Sequence, residues 1–96
     1  GVDFEAYPVG QHPVTEGVGR FQINDETYKG MWLSPEIQVI LKTDEPSSDG
    51  PLAWIGPYTK SRVVMIELGH GREAHENPSF RRLVKNAMLW AAAADK

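Results

Sequence analysis

From Val2 to Val9 apolar and polar residues alternate, which predicts a half-buried strand, with Pro8 at its end or edge because proline donates no ladder hydrogen bond. Gly10-Gln11-His12-Pro13 breaks the pattern and reads as a loop in which Pro13 holds His12 extended. Val14 to Gly19 is too short and too glycine-rich for a stable helix, whereas Arg20-Phe21-Gln22-Ile23 alternates again and predicts a short strand. Beyond Tyr28, Met31, Trp32 and a Ser34-Pro35 turn, Glu36 to Lys42 is the clearest strand of the first half, β-branched and alternating at its start.

Thr43 to Pro51, built from Asp, Glu, Pro, Ser and Gly, predicts a solvated loop. Leu52 to Ile55 reads as a short strand closed by Gly56-Pro57, and Tyr58 to Ser61 as the returning turn. Arg62 to Leu68 is a nearly continuous apolar run, the pattern of an interior strand covered on both faces, and Gly69-His70-Gly71 ends it. Asn77 then supplies a helix N-cap with Pro78 at the first helical position. Phe80, Leu83, Val84, Ala87, Trp90, Ala91 and Ala94 recur at helical spacing, with Arg81, Arg82 and Lys85 on the other side. About five strands and one long C-terminal helix place the chain in the α/β or α+β class.

Ninety-six residues with a net charge of −3 describe one domain or part of one. With no surplus of positive charge, nucleic acid is not an expected partner. No apolar stretch approaches the roughly 18 to 20 residues that cross a bilayer, so a membrane is not expected either. No basic segment followed by an apolar run is visible at the start of the sequence, and a cut chain would have lost one, so localisation stays open with the cytoplasm favoured. The chain has no cysteine, which removes disulfides, thiol nucleophiles and thiolate metal sites together.

Several blocks, in order, resemble the ThuA-like (trehalose utilisation) family, related in fold to class I glutamine amidotransferases. They are His12-Pro13-Val14-Thr15 with Gly17, Asp25-Glu26-Thr27-Tyr28, Pro51-Leu52-Ala53-Trp54, Arg62-Val63-Val64 running to Leu68-Gly69-His70, and Phe80 with Leu89-Trp90-Ala91-Ala92. The resemblance implies a partial flavodoxin-like sheet, with residues 1–96 forming one domain that corresponds to the C-terminal half of the family's fold. The interior strand expected at Val63 to Ile66 would then expose edges and faces, so self-association to a homo-oligomer is expected to complete the sheet.

His12, held extended by Pro13, and His70, at the end of the apolar strand between two glycines, are the two histidines presented for chemistry. In an extended segment Asp25 and Glu26 point to opposite faces, and Glu26 is selected as the site carboxylate. His12, Glu26 and His70 are thus the candidate catalytic residues. The same three are candidate ligands for a divalent ion such as zinc. His70, Glu73 and His75 lack the spacing of a zinc helix motif. Tyr28, Trp54 and Tyr58, with Trp32, offer flat faces on which a sugar ring could stack. Glu67 is either an inward carboxylate with a shifted pKa or the solvent edge of its strand.

No serine lies in a Gly-x-Ser-x-Gly elbow and there is no cysteine, so amidotransfer through a cysteine is excluded and water activated by histidine or metal remains. The expected function is carbohydrate-related, binding or hydrolysing a sugar or sugar derivative. The alternatives are a non-catalytic half-domain that works by association and a small metal-dependent hydrolase of broad specificity.

Overall fold

The computed structural model describes residues 1–57 and 61–93. Strand β1 (Val2–Pro8) pairs antiparallel with β2 (Phe21–Asp25) through Phe4 opposite Ile23 and Ala6 opposite Phe21. All four are buried, so the alternation seen in the sequence is the inward face of this ribbon. A 3₁₀ turn, Pro13–Thr15, stands between the two strands. On its other side β1 meets β3 (Gln38–Lys42) through Tyr7 opposite Lys42 and Pro8 opposite Leu41. Where that ladder stops, the buried Thr43 hydroxyl donates to the Glu5 carbonyl at 2.7 Å.

Strand β3 pairs with β4 (Pro51–Ile55), and β4 with β5 (Val64–Ile66), giving the five-stranded order β2-β1-β3-β4-β5. Helix α1 (Arg72–Glu76) and helix α2 (Pro78–Ala92) follow. Asn77 caps α2 as its sequence predicts, its Oδ1 accepting from the N–H groups of Ser79 at 2.9 Å and Phe80 at 3.1 Å. The predicted apolar stripe faces the sheet through Phe80, Leu83 and Ala87, which share one core with Phe4, Ile23, Ile40, Leu41 and Leu52. Ala94 of that stripe lies outside the described residues.

The sheet departs from the flavodoxin-like expectation. Every pairing in the sheet is antiparallel, whereas a flavodoxin-like sheet is parallel with helical crossovers. The connections explain why, since those joining β1 to β4 in sequence contain no helix beyond one 3₁₀ turn. The run at residues 62–68 also differs from its prediction. It supplies a three-residue edge strand in which Val64 and Ile66 pack on the core while Met65 is exposed. An apolar run alone does not distinguish an interior strand from an edge strand whose outer side chain is also apolar. Helix α1 has a single buried residue, Ala74, and thus no periodicity for the sequence pattern to show.

Candidate functional site

The register of the strands sorts the candidate residues to two ends of the sheet. Strand β1 runs toward Pro8 and the His12 turn, and β5 begins at that same end, because Val64 pairs with Ile55 and Ile55 with Gln38. Strand β2 runs the other way and finishes at Asp25, opposite Val2. Strand β5 likewise finishes at that second end and delivers Glu67 to His70 there.

At the first end His12 is extended, as Pro13 requires, and caps the 3₁₀ turn: its Nδ1 accepts the Val14 N–H at 3.1 Å. Its ring meets Trp90 of α2 edge-on, with centroids 4.9 Å apart, and the Arg62 guanidinium lies over the same indole at 4.8 Å. Burial, reinforced by the Arg62 charge, lowers the His12 pKa below its ordinary value. Asn86 of α2 ties the turn down by donating to the carbonyls of Val14 and Glu16. An open groove of about 570 Å³ passes His12, Gln11 and Glu16.

At the second end the fully buried Asp25 is the organising group. Its Oδ2 accepts from the Gly69 N–H at 2.7 Å, and its Oδ1 from the N–H groups of His70 at 3.1 Å, Gly71 at 2.9 Å and Glu26 at 2.8 Å. His70 is exposed above this turn, and the Tyr28 ring meets its imidazole edge-on at 5.1 Å. Glu67 lies within reach of the charges of His70 and Asp49; burial raises its pKa, and the His70 charge opposes that shift. Asp49 orders the segment after Tyr28 by accepting from the N–H groups of Gly30 at 3.2 Å and Met31 at 3.0 Å.

His70, Tyr28 and Glu26 therefore share one end, and His12 belongs to the other. Helix α2 measures the separation. Its Phe80 ring sits against Gly69 and its Trp90 ring against His12. Ten residues at a rise of about 1.5 Å each put those contacts roughly 15 Å apart. Zinc ligands must converge to about 2 Å from one ion, and among the described residues no three His, Asp or Glu side chains gather in that way. His12, Glu26 and His70 therefore do not fit a shared zinc ion.

Trp54 is 8% exposed and lies in register between Val39 and Met65, so it is packing and offers no open face. Trp32 is 82% exposed. Tyr58 lies outside the described residues. Glu26, exposed, directs its carboxylate to the amine of Gly1 at 3.2 Å. The buried carboxylate is Asp25 and not Glu26, because the alternation that buries Phe21 and Ile23 carries straight on to Asp25. Nothing in the local pattern marks the Gly69 to Gly71 backbone as its partner, 44 to 46 residues away.

The chain matches the family model ThuA, described as trehalose utilisation, over residues 2–91. No curated protein and no solved structure matches it. Among the described residues no helix is long and apolar enough to cross a membrane.

Proposed function

Starting from a chain that belongs to the ThuA (trehalose utilisation) family, we propose that it binds a sugar or sugar derivative, or hydrolyses one with activated water, at the end of the sheet that presents His70. The observation that carries this reading is the pairing of an exposed imidazole with the Tyr28 ring on a turn whose backbone Asp25 holds. In this reading His70 hydrogen-bonds a sugar hydroxyl or takes a proton from water. The Glu67 carboxyl, kept protonated to higher pH by burial, is suited to return a proton to a leaving oxygen. Glu26 is a second acceptor for hydroxyl groups. Tyr28, with the exposed Trp32 four residues on, provides the apolar surface for a sugar face.

Calorimetric titration with trehalose and a panel of hexosides tests the proposal. His70→Ala and Tyr28→Ala should each weaken binding roughly tenfold or more, the equivalent of about 1.4 kcal/mol. Affinity unchanged in both variants overturns it.

A second reading is favoured by a different observation. Met88 and Leu89 on α2 are 68% and 62% exposed. In that reading residues 1–96 act as the C-terminal half of a ThuA-like domain, and this face is covered by a further copy or a partner chain. Light scattering tests the first of these covers: a monomer whose mass does not change with concentration rejects self-association.

A further inference from the structure

We infer that the backbone of Gly69, His70 and Gly71 is an anion-binding concavity occupied from within the chain by Asp25, and that Asp25 is thereby the positioning residue of the His70 site. The inference deepens the proposed sugar site and rests on it for one of its two readouts.

The Asp25 carboxylate is completely buried, and neither ion pair among the described residues includes it. A buried carboxylate without a counter-ion needs dipoles, and the four N–H groups that converge on it supply them. Three of the four come from successive residues, the geometry by which a turn of backbone amides cradles an anion.

The turn is shaped for this. Gly69 has φ +89°, a conformation that L side chains rarely adopt, and a Cβ there would stand 2.6 Å from the Phe80 ring. Gly69 is thus required both for the backbone direction and for the approach of α2. The connection is also long-range. Strands β2 and β5 are the two edges of the sheet and do not pair, yet Asp25 at the end of β2 grips the turn that follows β5. The sheet curls until one side chain joins its edges. Without that grip the His70 turn is held by the buried Leu68 before it, by the Phe80 and Tyr28 ring contacts and by the short α1, none of which binds its backbone amides.

The backbone of His70 is therefore placed by Asp25, and the imidazole is left unencumbered beside Tyr28. Asp25 need not touch a ligand to matter to the site.

The test uses chemical rescue. Asp25→Ala should lower trehalose affinity roughly ten- to hundredfold, the range for losing hydrogen bonds to a charged group. Added formate, which refills the concavity with an anion, should restore most of that affinity, and neutral formamide should not. The second readout is independent of sugar. The amide NMR signals of Gly69, His70 and Gly71 should move in Asp25→Ala and return toward their original positions with formate. If Asp25→Ala does not fold, Asp25→Asn keeps the volume but turns an amide NH₂ toward backbone donors. It should show the same amide displacement, without rescue because the space is filled.

Amide signals of these three residues that are unchanged in either folded variant overturn the inference, as does a folded Asp25→Ala that formate and formamide affect equally. If the unaltered protein binds no sugar, the proposed function fails, while the amide readout still decides the role of Asp25.

Discussion

His12 and His70 mark opposite ends of one sheet, and each meets an aromatic ring edge-on, Trp90 at 4.9 Å and Tyr28 at 5.1 Å. Their employment differs. At the His12 end the imidazole is itself the cap of a turn, its Nδ1 committed to the Val14 N–H, so the neutral ring carries its proton on Nε2. At the His70 end a different residue, Asp25, holds the backbone, and the ring forms no hydrogen bond with the described residues. The His12 ring satisfies its own turn, whereas the His70 turn is satisfied by a neighbour, and this difference supports placing the proposed site at the His70 end.

The largest effect that should separate the two ends comes from Trp90→Ala. It removes the ring contact with His12, the Arg62 stacking and part of the helix packing, at a cost of about 2 to 3 kcal/mol. Denaturant titration should register that loss, with trehalose affinity at the other end retained. An equal loss of affinity in a folded Trp90→Ala protein would merge the two ends into one unit.

The next separation is by pH. The His12 pKa is lowered in the fold by burial and then by Arg62, so the unfolded chain binds the proton more readily. Its contribution to stability is complete above the ordinary value of 6.5 and is lost as pH falls below that toward the folded value. Glu67 has the opposite sign, because burial raises its pKa. Its contribution is complete below 4.5 and is lost as pH rises from there through the folded value. Melting temperature against pH, measured for His12→Ala and Glu67→Gln, should flatten the first and second of these slopes respectively. Parental slopes in both variants would mean that neither group is linked to folding.

The smallest effect is expected for Trp32→Ala. At 82% exposure its removal should leave stability within about 0.5 kcal/mol. A drop in trehalose affinity at unchanged melting temperature would extend the His70 end to include it, and unchanged affinity would leave Trp32 outside that site.

Much of this molecule follows from local pattern. Period-two alternation located β1, β2 and the start of β3, because a strand with one buried face needs it. Asn77-Pro78 and the stripe through Phe80, Leu83 and Ala87 located α2 together with its buried face. The apolar character of residues 62–68 was equally legible, but its rank as edge strand was not, since that depends on what else joins the sheet.

The site divides in the same way. Presentation of His70 between glycines and extension of His12 before Pro13 are properties of neighbours in sequence, and the sequence by itself determined them. Separation of the two histidines by the length of α2, burial of Asp25 in place of Glu26, and the closure of the edge turn on Asp25 were decided only by tertiary structure. The reason is that strand direction and register choose which ends of the chain meet, and hydrogen bonds 44 to 46 residues apart leave no trace in any local window.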